Sequence, residues 1–556
     1  MAKKAEFPWL SEYPPEVPRE FSFPKGSLFD LLERAASRFG ERTAVHFFGR
    51  RCSYNKIYRM SVALASSLQE LGVKPGEKVV TLLSNSPHSI IAFFGILKAG
   101  ATVVSLNPLL SPREIEEKIT DSGARILITH DIRAYKLQGA MENDLLDHLV
   151  VAKLAKELPF LERIRRYFFN RVPSYVPPSP AKRPVDFYGL CRNPERPLPV
   201  SFDPDTHPAL FKYTGGTTGI IRAAVLSHSN LMANVYQLRA WLYRLREEGE
   251  VFFCALPFHH IFGLTSELLL GTLLGAELVV FPRFVESIVS EIIHDEKVSF
   301  ISGTPAHYAA LLAYTAEEYV DFSTVGISLI SGTTLPPHIS QQFEKITRGI
   351  IIEGYGLSEA SPFTHAQPIW GRRPLRSIGL PLPGTQARIV NSSREPLPPN
   401  MVGELEIKGP QVMMGYWDAQ RGEPVFPSED GWLPTGDLAT MGPDGYFFLQ
   451  GRKKDIVHVR GYPVYPLQVE EIIEEHPAVK EAALVALPIS QGADARLIAK
   501  VVLRKGAKGV SKESILDHCK KNLADYKVPA DIVFVKEIGH NPAGGKLRKI
   551  ESWEDR

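Results

Sequence analysis

Two stretches of this chain alternate short apolar runs with helix-length segments, and that alternation constrains the fold more than any other feature. Lys78-Val-Val-Thr-Leu-Leu83 reads as a buried strand, Ser89 to Lys98 as a helix and Ala101-Thr-Val-Val-Ser-Leu106 as a second strand. Asn107-Pro108 turns the chain, Ser111 to Ser122 has helical spacing and Arg125-Ile-Leu-Ile-Thr129 is a third strand. The pattern returns between Val251 and Ile352. Apolar strands separated by helices belong to parallel sheets covered on both faces. Upstream, Ser27 stands as an N-cap before Leu28, Phe29, Leu31, Leu32, Ala35 and Phe39 at helical spacing.

A chain of 556 residues exceeds what one hydrophobic core holds, so more than one domain is expected. From Gly384 to Phe448 the pattern turns β-rich, with short strands such as Gln386–Val390 and Glu404–Ile407. After Gly451 the order is helix (Leu467–Glu475), strand (Val479–Leu487), strand (Leu497–Leu503), helix (Ser511–Leu523), strand (Ile532–Val535). The predicted fold class is α/β: a large N-terminal domain of parallel α/β subdomains plus a β-rich subdomain, then a small mobile α+β C-terminal domain. The expected divisions are 1–451, a hinge at 452–455, and 456–556. Pro173 to Pro208 is proline-rich and reads as irregular connection. Leu145 to Val172 reads as a basic helix. It is either an interfacial membrane helix or, more commonly for such a pattern, a solvated face over a core stripe.

The formal net charge of +2 excludes a nucleic-acid binder that relies on bulk phosphate attraction. Cys52, Cys191, Cys254 and Cys519 lie far apart with no C-x-x-C pair, which predicts buried, reduced thiols. Met1-Ala-Lys-Lys-Ala-Glu6 lacks the apolar core of a signal peptide, and Ile90 to Leu97 is cut by Lys98 and Gly100. The expectation is a soluble cytoplasmic protein, touching membranes at most weakly and peripherally, with a homodimer as an allowed assembly.

Five clusters carry chemistry. Tyr213-Thr-Gly-Gly-Thr-Thr-Gly219 is built for close backbone approach, and successive N–H groups of such a turn form an anion nest. It is neither a Walker A loop nor a Rossmann fingerprint, since Gly-Lys-Ser/Thr and G-x-G-x-x-G are both absent. Arg222 and His228 follow it. Glu353-Gly-Tyr-Gly-Leu-Ser-Glu359 ends an apolar run and offers a ring, a hydroxyl and an oxygen ligand of the kind Mg²⁺ accepts beside substrate phosphates. Thr435-Gly-Asp437 with Arg452 supplies a carboxylate and a cation suited to a ribose. Gly451-Arg-Lys-Lys-Asp455 precedes Gly461-Tyr-Pro-Val-Tyr-Pro466 at the domain boundary. Gly544-Gly-Lys546 places a lysine on a flexible turn, where it acts as a mobile point charge.

In this order along the chain, and with Ser53-Tyr54, Leu97–Ala101, Asp203-Pro-Asp205, Leu256-Pro-Phe-His-His260 and Ser331-Gly-Thr-Thr334, these motifs resemble the adenylate-forming acyl-CoA synthetase superfamily. Within it the chain looks most like bacterial and archaeal medium- to long-chain fatty acyl-CoA ligases. The resemblance implies two steps. A carboxylate attacks the α-phosphate of MgATP, giving acyl-adenylate and pyrophosphate, and coenzyme A then displaces AMP. It implies catalysis by positioning and electrostatics. ATP, Mg²⁺ and coenzyme A are the expected cofactors and a small carboxylic acid the partner.

By motif, the resemblance implies that Thr214, Gly215, Gly216, Thr217, Thr218 and Gly219 wrap the β- and γ-phosphates, with Arg222 nearby. Thr214 and Glu359 stand at Mg²⁺, and Ser358 at the α-phosphate. Gly332, Thr333, Thr334, Glu353, Gly354, Tyr355 and Gly356 form the adenine slot, Tyr355 stacking. Asp437 and Arg452 hold the ribose, and His260 stands at the acyl pocket beside His259. Lys546 bridges carboxylate and α-phosphate, Lys454 is the hinge, and Gly461 and Tyr462 line the coenzyme A channel.

The chain departs from the family pattern in four places. Ile221-Arg222-Ala223 replaces Pro-Lys-Gly, Thr333-Thr334 replaces Gly-Ala, Asn541 replaces Ser/Thr, and Lys549 replaces arginine. The alternatives are a ligase for aromatic or short branched acids, an acyl-AMP ligase loading a carrier protein, and an inactive nucleotide- or acyl-binding regulator. No carrier domain follows Lys546, which disfavours a peptide-synthetase module. Gly263 is compatible with room for a longer acyl tail or with close helix packing.

Overall fold

The structure, a computed structural model, describes residues 7–157, 184–215, 221–316, 320–332, 335–459, 462–488, 495–504, 506–507 and 509–539. Its framework is two large sheets of nine and thirteen strands. In the nine-stranded sheet, Lys78–Leu82, Thr102–Ser105, Ile126–His130 and His148–Ala152 pair in parallel. Pro208–Gly215 joins them beside Thr102–Ser105. The thirteen-stranded sheet has a parallel half, which includes Val251–Cys254, Phe300–Gly303, Ile327–Ile330 and Ile350–Gly356. Ile126–His130, Phe300–Gly303 and Ile327–Ile330 are buried at every position, as expected for strands covered on both faces.

Helices Tyr54–Glu70, Pro87–Lys98 and His228–Trp241 contribute to one continuous core with residues of both sheets. Helix Pro112–Ser122 shares a second core with the nine-stranded sheet. Helices Glu286–Asp295, Pro305–Thr315 and Pro337–Thr347 share a third with the other sheet. Local chemistry sets the helix starts. Ser86 and Ser111 each close a capping box, and proline occupies the first helical position after both. Ser27 accepts from the Phe29 N–H at 3.2 Å, while the helix proper begins at Phe29.

The β-rich region is present, and its strands extend the thirteen-stranded sheet. Phe363–Ala366 and Ser377–Pro381 connect Ile350–Gly356 to Phe447–Arg452, Leu433–Met441, Gly403–Lys408 and Gln386–Val390, all antiparallel. One strand of the region, Gly415–Asp418, instead pairs with Ile221–Ser227 of the nine-stranded sheet.

The helix expected over Leu145–Val172 is not formed where the structure describes it. His148–Ala152 is a parallel strand and Leu154–Glu157 a short 3₁₀ turn, while 158–172 lie outside the described residues. The run His148-Leu-Val-Val-Ala152 finds a partner in Ile126–His130, and that pairing overrides the helical spacing read across it. The irregular connection after Pro173 contains a two-residue strand, Val185–Asp186, and a helical turn, Phe187–Leu190. All four cysteines are free and buried. No helix among the described residues is long and apolar enough to cross a membrane.

The C-terminal domain has its own core. Helices Pro466–Glu474 and Lys512–Asn522 pack on the sheet Val479–Pro488, Ala495–Leu503 and Asp531–Phe534. It follows the 3₁₀ turn Lys453–Asp455 and the ribbon Val457–Val459/Tyr462–Val464. Arg376 of the large domain reaches across to Glu471 and Glu475, at 3.4 and 3.0 Å.

Candidate active site

Two of the motif clusters meet in the crevice between the two sheets, where Thr214 reaches Glu359. Strands Pro208–Gly215 and Ile221–Ser227 form an antiparallel pair with Thr214 opposite Arg222. Strand Gly415–Asp418 adds to the far edge, with Tyr416 opposite Ala224. From the thirteen-stranded sheet, Ile350–Gly356 leads into the 3₁₀ turn Ser358–Ala360, which presents Glu359.

These elements meet at one carboxylate. The Thr214 hydroxyl donates to Glu359 Oε1 at 3.2 Å and the Tyr416 hydroxyl donates to the same oxygen at 2.9 Å. Glu359 is 8% exposed. The Arg222 guanidinium lies 4.7 Å from the Tyr416 ring centroid, within cation–π range. Burial, then the charge of Glu359, pushes the Tyr416 hydroxyl well above its ordinary range, so it remains a donor. Tyr416 carries no sequence motif, and sequence reasoning missed it. It arrives through a strand pairing some two hundred residues away, which no local pattern announces.

A second polar group surrounds Asp437. Tyr355 donates its hydroxyl to Asp437 Oδ2 at 2.5 Å, and Arg452 Nε approaches Oδ1 at 2.8 Å. Asp437 and Arg452 face each other across paired strands, so the sheet register itself sets their contact. Burial raises the Asp437 pKa, and Arg452 opposes that shift. Glu353 accepts from the Leu335 N–H at 3.3 Å, and burial pushes its pKa up to about 7. The glycines flanking Tyr355 serve strand approach. A Cβ on Gly356 would stand 2.0 Å from the Pro362 carbonyl oxygen, and one on Gly354 3.0 Å from the Phe363 ring. Gly332 adopts φ 104°, a left-handed conformation that favours glycine.

The wall expected to face the acyl group is also held by polar contacts. His260 is exposed at the crevice, and its Nδ1 accepts from the Phe262 N–H at 3.4 Å, which leaves Nε2 to carry the proton of the neutral ring. Crowding by the surrounding protein, then the Lys212 charge, lowers its pKa to about 4. Asn85 accepts from Phe258 N–H at 2.7 Å and donates to Leu256 O at 2.8 Å. Glu267 lies in a π-helical segment, Leu264–Leu269. It is fully buried, accepts from the Ser302 hydroxyl at 2.6 Å, and is held neutral chiefly by burial. Gly263 packs closely: a Cβ there would lie 2.7 Å from the Leu256 carbonyl oxygen. His307 stacks on Phe284 at 4.2 Å.

Two conspicuous residues face away from the crevice. Tyr213 donates to Asp121 Oδ2 at 2.6 Å on the opposite face of its strand. His228 is fully buried and accepts from the Leu28 N–H at 3.0 Å, tying down the N-terminal segment. Lys454 is exposed in the 3₁₀ turn, and Tyr462, 58% exposed, stacks on Tyr526 at 4.8 Å. Gly216, Thr217, Thr218, Gly219, Thr333, Thr334, Gly461 and Lys546 lie outside the described residues.

Comparison with known proteins is consistent along the chain. Residues 32–417 match the model of the AMP-binding enzyme family, and 468–544 that of the AMP-binding enzyme C-terminal domain. A long-chain-fatty-acid–CoA ligase of Bacillus subtilis is 35% identical over 98% of this chain and 98% of its own. One from Escherichia coli is 33% identical over 97% of each. Among solved structures, an anthranilate CoA ligase in complex with anthranoyl-AMP superposes with a TM-score of 0.80, at 26% identity and 96% coverage of both chains. A benzoate CoA ligase from Burkholderia xenovorans shares the fold at a TM-score of 0.78, with 94% of this chain and 99% of that one covered. With both family models matched and a relative 35% identical over 98% of the chain, the chain belongs to the AMP-binding enzyme family of adenylate-forming acyl-CoA ligases.

Proposed function

We propose that this protein is a medium- to long-chain fatty acyl-CoA ligase. It activates a fatty acid with ATP and transfers the acyl group to coenzyme A. The single observation that carries the reading is the convergence of Thr214 and Tyr416 on Glu359 beside the phosphate-loop strand, with Arg222 over the Tyr416 ring. Near-full-length similarity to long-chain ligases supports the choice of acid.

In the first step a carboxylate oxygen bonds to the α-phosphorus and the bond to pyrophosphate breaks. In the second, the thiolate sulfur bonds to the acyl carbon and AMP leaves. Both steps leave negative charge on a departing phosphate oxygen, so fixed donors and cations stabilise them without a covalent enzyme intermediate. Thr214 begins the cradle for the β- and γ-phosphates, which continues through Gly219. Asp437 accepts the ribose hydroxyls while Arg452 keeps it ionised against the effect of burial. Gly332 to Gly356 borders the adenine, and Ser358 faces the α-phosphate. Lys546 brings positive charge to the carboxylate and α-phosphate during adenylation. Lys454 is the pivot between the domains, and Tyr462 with Gly461 borders the thiol's approach.

The donors around Glu359 are all oxygens, with the Thr214 hydroxyl 3.2 Å from the carboxylate, and this set fits Mg²⁺. Bound there, the ion would neutralise phosphate charge.

A panel of carboxylic acids, assayed for pyrophosphate and AMP release with and without coenzyme A, tests the reading. Pyrophosphate should appear with medium- and long-chain acids, and thioester only when coenzyme A is added. Faster turnover of benzoate or anthranilate would move the protein to the aromatic-acid ligases. Adenylate formation with no response to coenzyme A would assign it a carrier-protein acceptor.

A further inference from the structure

Lys212 has no part in the mechanism above, yet it is the most unusual charge in the crevice. Strand Pro208–Gly215 keeps regular register from Leu210 to Gly215, so Leu210, Lys212 and Thr214 share one face and Phe211 and Tyr213 the other. Leu210 belongs to the core between the sheets and Phe211 to the core behind the nine-stranded sheet. The face shared by Lys212 and Thr214 is therefore the one that meets Glu359.

Two residues along a strand is about 6.6 Å, so Lys212 emerges just deeper than Thr214. It is 9% exposed, and its ammonium donates to the His259 carbonyl oxygen at 2.7 Å, spanning from one sheet to the loop leaving the other. Among the described residues no carboxylate pairs with it. Its neighbours on that loop are His259 and the exposed His260, both with pKa values lowered by the surrounding protein and then by the Lys212 charge. His259 Nδ1 is buried with no hydrogen-bond partner. Lys212 is thus a buried cation beside two histidines, with no counter-anion among the described residues. A buried charge of this kind is costly unless a ligand of opposite sign completes it.

We infer that Lys212 is a substrate-binding residue whose ammonium pairs with the carboxylate of the incoming acid. The inference rests on the acid-activating reading above. One carboxylate oxygen is held by Lys212 and faces the His260 wall, while the other attacks the α-phosphorus. Lys212 stays protonated throughout, and the electron pair lost from phosphorus leaves with pyrophosphate. Its position two residues before Thr214 fixes the acid relative to the phosphate loop through a single strand.

Burial lowers the Lys212 pKa to about 8, so its charge is lost as pH rises through that value. Glu353, pushed up to about 7 by burial, titrates close to this range but is common to every Lys212 variant, and the other groups of neighbouring elements do not share the titration. His259 and His260 are already neutral, Glu267 and Cys254 are kept neutral by burial, and the Tyr416 hydroxyl is raised out of range.

The test measures acid-dependent pyrophosphate release without coenzyme A, at saturating MgATP, for the full chain and its Lys212→Gln, Lys212→Met and Lys212→Arg variants. Glutamine retains a donor for the His259 carbonyl and so preserves the structural contact. In the Gln and Met variants the KM for the acid should rise roughly tenfold or more, the size of one lost charge-assisted hydrogen bond. The KM for ATP should stay within about twofold in the same variants, since the phosphate donors are untouched. The wild-type acid kcat/KM should fall as pH rises through about 8, the Gln and Met variants should lose that limb, and Arg should move it upward. An unchanged acid KM and an intact limb in the Gln variant would overturn the inference and leave Lys212 as a strut for His259. Absence of pyrophosphate release by the wild type with every acid would instead sink the underlying reading.

Discussion

Tyr416 shows how one hydroxyl can tie the Glu359 carboxylate to a strand that sequence motifs never mention. It shares Glu359 Oε1 with Thr214 and lies beneath the Arg222 guanidinium. Tyr416→Phe keeps the ring and the cation–π contact and removes one hydrogen bond to a charged acceptor, a loss of about 1.5–3 kcal/mol. Adenylate formation should drop roughly ten- to hundredfold with the melting temperature nearly unchanged, as read by pyrophosphate release and thermal unfolding. The expected residues Thr214, Glu359 and Asp437 each sit in a short run of glycines and hydroxyls, and Arg452 in a glycine-led charged run, all of them legible locally. Tyr416, Glu267 and Lys212 do not. They sit among ordinary apolar strand and helix residues, and their partners come from elsewhere in the fold, so only the assembled sheets disclose them.

At the level of elements, strand Gly415–Asp418 leaves the β-rich region to extend the other sheet, and glycine permits the crossing. A Cβ on Gly415 would stand 2.5 Å from the Val425 carbonyl carbon and 2.7 Å from its oxygen. Gly415→Ala must therefore push strand Glu423–Val425 away or lift Tyr416 off Glu359. The expected cost is about 1–3 kcal/mol of stability, visible as a lower melting temperature, together with slower adenylate formation. Strand positions were otherwise readable wherever an apolar run stood between turn residues. Gln386–Val390 is one such strand, and the observed Lys78–Leu82 ends one residue short of its expected limit. The failure at Leu145–Val172 is instructive. His148-Leu-Val-Val-Ala152 suits a strand equally well, and helical spacing counted across a short apolar run cannot decide between them.

At the scale of the molecule, the small domain is held to the large one by an ion-pair clamp. Arg376 adopts φ 62° and reaches two carboxylates one helical turn apart, Glu471 and Glu475. Lys454 stands in the connecting 3₁₀ turn, where Lys453 pairs with Glu404 at 2.7 Å. If the two half-reactions require different domain orientations, releasing the clamp with Arg376→Glu should change their rates unequally. Pyrophosphate release and thioester formation from isolated acyl-adenylate are expected to differ in their response by more than about threefold. An equal change in both would make Arg376 a stabilising contact only.

The back of the phosphate-loop sheet has a corresponding device. The Tyr213 hydroxyl and the Trp417 indole both end on Asp121, one on its side chain and the other on its carbonyl, at 2.6 and 3.0 Å. Each of these rings neighbours a residue that points the other way, Thr214 or Tyr416. The two strands are therefore stapled at one point on the side remote from Glu359. The spacing between the Thr214 and Tyr416 hydroxyls is thereby set from behind, and Glu359 meets both from the other sheet.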